Sequence, residues 1–240
     1  SNLETIDYDA FAYCYELQNI TIPASVREIN TSAFRRCDKL LFDVEPNNNY
    51  YSNSTDGTML LDKDKTTLLA YPSASGDVEI TENITHIGDS AFWSCSNLNS
   101  IKLPDSVTTI GYNAFNECNN LTTVELSNNL TTIKEYSFRC CYALTNIILP
   151  DGLVNIEPYA FIYCNSLENI TIPASVTKIG THAFYGCSLQ TATFEDTNDW
   201  YYSYNGDYSN GSEIDVTDES QNASYLRNNY DWYWYKGVGF

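Results

Sequence analysis

Positive charge, histidine and methionine are all scarce in this chain. Its 240 residues hold 12 lysines and arginines against 31 acids, with two histidines and one methionine. A formal charge of -19 repels a nucleic-acid duplex or an anionic bilayer, which excludes both as main partners. No apolar run reaches the roughly 18 residues that a spanning helix needs, so membrane insertion is not expected. No basic-then-apolar leader opens the sequence either. Cys-x-x-Cys pairs, glycine-rich phosphate loops, G-x-S-x-G elbows and His-Glu-x-x-His helices are all missing, and with them the short patterns behind zinc sites, nucleotide binding and hydrolysis. The acids form no recognisable pair for glycoside hydrolysis. Asp62-x-Asp64 lacks the glycine and glutamate of a calcium loop, having Thr67 and Ser73 in those places, and reads as a polar hairpin turn. No cofactor is expected.

What is abundant is repetition. Phenylalanine falls at 11, 34, 92, 115, 138, 161 and 184, at intervals of 23 except for one of 58, a repeat plus an insertion of 35. Cysteine follows three residues later each time, at 14, 37, 95, 118, 141, 164 and 187. The frame is Ala-Phe-x-x-Cys-x-x-Leu-x-x-Ile-x-Leu-Pro-x-x-Val-x-x-Ile, clearest from Ser90 to Ala114. Fixed self-similarity at this period is the mark of a solenoid, in which no unit buries its apolar face alone. Seven of the eight cysteines sit at one slot of an apolar consensus, so a ladder of buried thiols is expected rather than a disulfide framework. Cys140 lies off the ladder. The chain begins inside a repeat, with Leu3 and Ile6 matching Val107 and Ile110 and Ala10-Phe11 following in register, so it reads as a fragment of a longer protein with any export signal upstream.

Within a unit, Leu98, Ile101 and Leu103 mark a short strand. Proline closes it at 23, 104, 150 and 173. Val-x-x-Ile is a second extended piece, and Ala-Phe-x-x-Cys reads as one helical turn. Gly88, Gly111 and Gly180 follow the isoleucine and suggest a bend there, although Lys134 and Glu157 fill the same slot. The register breaks after Cys37, where Leu40–Val44 fits the strand poorly. Thr58–Asp62 and Thr66–Tyr71 around Lys63-Asp64 predict a β-hairpin inserted over about 45–75, and the repeat resumes at Val78. The predicted organisation is therefore a solenoid over 1–194 and a C-terminal cap over 195–240. In the cap, 198–211 is turn-rich, Thr217 or Asp218 starts a helix running to about Asn229, and 230–235 alternates as a strand.

These residues carry a family likeness. The frame resembles the leucine-rich repeat of BspA-type bacterial proteins over about residues 1–194, and the inserted Asp56–Pro72 and the tail around Ala223, Leu226, Tyr230 and Trp234 are similar to further elements of that family. The resemblance implies an α/β-type repeat solenoid, a parallel sheet of short strands with an inserted hairpin and an aromatic cap. It also implies an extracellular or cell-surface protein without catalytic residues, serving adhesion to a host or neighbouring-cell surface or matrix protein.

Candidate binding residues follow from the strand frame. The positions outside the core are Asn99, Ser100, Lys102; Thr122, Thr123, Glu125; Thr145, Asn146, Ile148; and Glu168, Asn169, Thr171, with Gln18, Asn19 and Thr21 extending the series. Side by side they make a polar sheet face, the place where solenoids bind extended partners. An alternative is carbohydrate stacking on Trp200, Tyr201, Tyr202, Trp232 and Trp234, which capping of the last repeat explains as well. A third reading is a structural spacer. His86 and His182 occupy slots filled by Thr109 and Asn113 in another repeat and read as surface residues. The nine Asn-x-Ser/Thr sequons, Asn19, Asn120 and Asn169 among them, follow from an Asn/Thr-rich consensus. A monomer is expected.

Overall fold

The computed structural model describes residues 2–81, 83–204, 211–228 and 231–237. In it the chain winds as a parallel β-solenoid of about eight turns. The first block holds β1 (Thr5–Ile6), β2 (Asn19–Ile22), β3 (Glu28–Ile29) and β4 (Leu41–Val44). The insertion holds β5 (Tyr51–Asn53), β6 (Leu60–Asp62) and β7 (Thr67–Ala70). Winding resumes with β8 (Gly76–Glu79), β9 (His86–Ile87), β10 (Leu98–Lys102), β11 (Thr109–Ile110), β12 (Thr123–Glu125), β13 (Thr132–Ile133) and β14 (Asn146–Ile147). It continues through β15 (Asn155–Ile156), β16 (Asn169–Ile172), β17 (Lys178–Ile179) and β18 (Thr191–Phe194). Last come β19 (Trp200–Tyr204), β20 (Ser212–Glu213), α1 (Glu219–Asn228) and β21 (Trp232–Lys236).

Each regular turn of chain gives one strand to each of two faces. Leu-x-x-Ile-x-Leu builds the even-numbered strands of the first face, sheet I. Val-x-x-Ile builds the two-residue strands of the second, sheet II. Counterparts in successive repeats stand side by side, as in Ser100 beside Thr123 and Thr123 beside Asn146, or His86 beside Thr109. At about 4.8 Å per strand, every rung covers its neighbour's apolar edge. After each strand-closing proline a tight turn reverses the chain, as where Val107 N donates to Pro104 O at 3.0 Å.

The Ala-Phe-x-x-Cys piece is not a helical turn. In most repeats the residues two before and two after the phenylalanine have left-handed backbones, as at Asn113 (φ 56°) and Glu117 (φ 61°) around Phe115, or Tyr159 (φ 60°) and Tyr163 (φ 62°) around Phe161. Left-handed residues break a helix but turn amides outward along the solenoid. There Phe115 N donates to Ser137 O at 2.8 Å and Glu117 N to Arg139 O at 2.8 Å in the next repeat. This third face is thus hydrogen-bonded between rungs as well. The glycines after isoleucine answer to crowding rather than to φ: a Cβ on Gly111 would lie 2.6 Å from the Asp89 backbone nitrogen.

Two ladders hold the core. Phe92, Phe115, Phe138, Phe161 and Phe184 stack face to face with centroids 4.8–5.3 Å apart, within the range of favourable ring pairs. Tyr71 of the insertion packs against Phe92 in the missing position, 5.6 Å away. Beside them the Cys118, Cys141, Cys164 and Cys187 thiols each donate to the phenylalanine carbonyl one repeat back, at 3.1–3.2 Å. Burial pushes the Cys37 thiol up to about 11 and raises Cys141 too, so these are neutral donors. Cys140, also buried, stands in the left-handed slot after Phe138 (φ 58°).

The insertion departs from expectation in one respect. Leu41–Val44 does continue the repeat, since β4 pairs in register with β2, Asn19 beside Leu41 and Ile22 beside Val44. The repeat is one residue short there, which hides the alignment. The predicted hairpin forms as β6 and β7, with β5 on the outer side of β6 and β7 parallel to β9. Adjacent Leu60 and Leu61 are both buried and face different cores. Leu60 packs with Ile22, Phe34 and Phe42, and Leu61 with the long core running from Met59 to Trp234. β6 is therefore a wall between a small N-terminal core and a large C-terminal one.

At the other end, Asp218 caps α1 by accepting from the amides of Ser220 and Gln221, both at 3.0 Å. The helix packs across β18, where the buried Asn222 amide donates to Ala192 O (3.1 Å) and Val216 O (2.8 Å). β21 adds to β17 antiparallel, and β19 and β20 follow it. The segment expected to be turns therefore contains a strand, Trp200–Tyr204. The expected helix end at Asn229 and strand start at Tyr230 lie outside the described residues.

Candidate functional site

The outward positions of sheet I lie where the strand frame puts them. Asn99, Lys102, Thr122, Glu125, Thr145, Asn146, Ile148, Glu168, Asn169 and Thr171 are exposed, and Ser100 and Thr123 half-buried, while Ile101, Val124, Ile147 and Ile170 between them are buried. Alternation along a strand with one face packed requires this. At the N-terminal end Gln18, Asn19 and Thr21 are exposed likewise.

Neighbouring strands join this face by polar contacts between counterparts. Ser100 Oγ donates to Asp77 at 2.7 Å, Thr191 Oγ1 to Asn169 Oδ1 at 2.6 Å, and Thr21 Oγ1 to Asp43 at 3.3 Å. Lys102 pairs with Glu79 at 3.0 Å, and this hydrogen bond, together with the Glu79 and Glu125 charges, raises its pKa. An exposed pair of this kind adds little stability, but it orders the side chains.

Sheet I is not one continuous ladder. It is hydrogen-bonded as β2–β4, then β8–β10–β12–β14, then β16–β18. A groove of about 370 Å³ opens at each break. One lies between β14 and β16, with Asn146, Ile148, Asn169 and Thr191 in its walls and Asp151 and Glu195 at its edge. The other lies between the insertion and β8, against Asp56, Met59, Tyr71, Glu79 and Ile80. Neither was legible in the repeat, whose spacing is unchanged across β14 and β16.

The aromatic alternative is reshaped by burial. Trp200 (1% exposed) and Trp234 (2%) are core residues, Trp200 meeting Phe194 edge-on at 5.0 Å and Trp234 stacking on it at 5.7 Å. They have no face free for a sugar. Tyr201, Tyr202 and Trp232 are half-buried, and Tyr202 and Trp232 stack on each other with centroids 3.9 Å apart.

Of the histidines, His86 is an exposed neighbour of Thr109. His182 is more than surface decoration: it stacks on Tyr159 at 4.9 Å, continuing a column from Tyr136, and burial lowers its pKa despite the opposing charge of Asp231. The Asp62 carboxylate is engaged in its own turn, accepting from the amides of Thr66 (2.7 Å) and Thr67 (2.9 Å). No helix among the described residues is long and apolar enough to cross a membrane.

Two-sheet winding, stacked phenylalanines and an open polar face define a leucine-rich-repeat solenoid. Within that class the chain belongs to the BspA-type leucine-rich-repeat family, whose profile matches residues 1–55 and 74–215 in six copies. Among solved structures, a leucine-rich cell surface protein from Faecalibacterium prausnitzii A2-165 is similar at a TM-score of 0.70 and 31% identity, over 82% of this chain and 58% of that one. The pneumococcal vaccine antigen PcpA is similar at 0.68 and 26%, over 81% of this chain and 49% of that one. A leucine-rich repeat protein from Eubacterium ventriosum gives 0.50 and 25%, over 72% and 59%. This chain thus spans about half to three-fifths of those relatives' lengths. Among curated protein sequences none matches it significantly.

Proposed function

We propose that the chain is a non-enzymatic protein-binding module, displayed on a bacterial cell surface or secreted, that adheres to a host or neighbouring-cell surface or matrix protein through the outward face of sheet I. The observation that carries this reading is where the additions to the solenoid attach. The inserted hairpin and the cap strands both extend sheet II, while most outward residues of sheet I from β10 to β16 stay exposed. Open solenoid faces suit extended partners. With tryptophan and arginine missing from the named outward positions of this face, affinity should be modest for a single module and gain from multivalency. The description of one relative as a cell surface protein supports the location.

The test is surface-plasmon binding of the purified chain to a panel of matrix proteins and glycans, with Thr123→Arg/Asn146→Arg alongside. Saturable protein binding that the variant loses supports the proposal. Glycan binding that survives the variant moves the site to Tyr201, Tyr202 and Trp232, and silence on every surface leaves the spacer reading.

A further inference from the structure

We infer that the groove between β14 and β16 takes a basic, extended polypeptide segment, with an apolar side chain of that segment seated on Ile148. This deepens the proposed function and rests on it, since it names the chemistry of the partner.

The column of sheet I that holds Ile148 is polar elsewhere: Thr21, Asp43, Glu79, Lys102, Glu125, Thr171 and Thr193 fill the slot in the other strands. Ile148 is 75% exposed, so it lies outside the core. A single exposed isoleucine means little by itself. Here it forms a wall of a groove of about 370 Å³ at the place where the ladder is interrupted, and that makes it an anchor point with room beside it.

The surroundings select charge. Asp151 and Glu195 edge the groove, and Thr193 in its wall donates to Glu219 at 2.7 Å. Its lining includes no lysine or arginine. Lys236, whose ammonium reaches Ala174 O just past Pro173, is already paired with Asp196. With the whole chain at -19, the local and overall fields agree, and both draw a cation-bearing partner and speed its arrival. Polar groups of Asn146, Asn169 and Thr191 supply hydrogen bonds along an extended backbone.

The probe is a fluorescein-labelled ten-residue peptide alternating lysine and leucine, with a peptide alternating glutamate and leucine as its control, read by anisotropy. Two variants carry the same loss of negative charge: Ile148→Thr/Asp151→Asn/Glu195→Gln in the groove, and Glu28→Gln/Asp64→Asn far from it. Glutamine at 195 keeps the acceptor that Ala174 N uses at 3.1 Å. The expected result is binding of the lysine peptide alone, weakened about tenfold or more by the groove variant, as loss of an anchor residue does, and little changed by the distant one. Equal weakening by both variants, or no binding of the lysine peptide, overturns the inference. The two readings separate on the matrix proteins. Binding lost in Thr123→Arg/Asn146→Arg but kept in the groove variant sinks the groove and spares the sheet face, and no protein binding at all sinks both.

Discussion

The two sheets of this solenoid are built from one repeat, yet they have different fates. Sheet II has two-residue strands in the regular repeats and takes on every added strand: β5, β6 and β7 extend one stretch of it, and β21, β19 and β20 extend its end. Sheet I has strands of up to five residues and is touched only at its ends, where the insertion lies against β4 (Phe42 N donates to Gly57 O at 2.7 Å) and α1 packs across β18. Insertions are tolerated where they find a strand edge to complete, and a two-residue strand leaves little surface that a partner could read. The longer strands present two or three outward side chains per rung. The added strands thus cover the edges of sheet II and leave the outward face of sheet I open between its ends.

The comparison can be broken from the inside first. Phe138 lies in the middle of the ring column under both sheets, so Phe138→Ala should cost about 3–5 kcal/mol and loosen both alike, which denaturant titration and hydrogen exchange would show. Asn222→Ala acts on one sheet. It removes both carbonyl contacts of a buried amide, at about 1–3 kcal/mol, and should raise exchange in β18 and β16 while leaving β9 to β15 unchanged. Cys141→Ala deletes one donor to Phe115 O on the turn face, a carbonyl that Cys118 N still serves at 3.2 Å. A loss of about 1 kcal/mol favouring neither sheet is expected from the same titration.

The smallest effect concerns the tie between the cap strand and the end of sheet I. The hydrogen bond from Lys236, with help from Asn198, holds the Asp196 carboxyl down at about 2. A carboxyl depressed in the folded state stabilises above its unfolded value of about 3.8 and loses that contribution as pH falls towards 2. Asp196→Asn should therefore flatten the fall in Tm between pH 4 and 2 and leave Tm at pH 7 only slightly lower, as a thermal-melt series across pH would show.

Much of this architecture was legible because the repeat is strict. The 23-residue spacing of phenylalanine and cysteine places the rungs, and the Leu-x-x-Ile-x-Leu frame separates Ile101 and Val124 from the outward Lys102 and Glu125. What escaped has physical reasons. The left-handed turns around each phenylalanine are filled by Asp, Tyr, Ser, Asn, Glu, Arg, Cys and His, with glycine only at Gly186, so the usual marker of positive φ is lacking. β4 was missed because its repeat is a residue short. The wall made by β6 buries both Leu60 and Leu61, which defeats alternation as a guide to facing. Clustered aromatics in the tail fit a platform and a plug equally well by composition, and only packing separates Trp200 and Trp234 from Tyr202 and Trp232. For the sheet face, the pattern gave the residues and the structure added the groove beside Ile148.

The central claim is that binding belongs to sheet I, and one matched pair of variants tests it directly. Thr123 and Asn146 are register partners on sheet I, and Thr132 and Asn155 are the corresponding partners on sheet II. Affinity for a captured matrix protein should fall about tenfold or more in Thr123→Arg/Asn146→Arg and stay near that of the parent chain in Thr132→Arg/Asn155→Arg. Equal losses in both variants, or a loss confined to the second, would contradict the account.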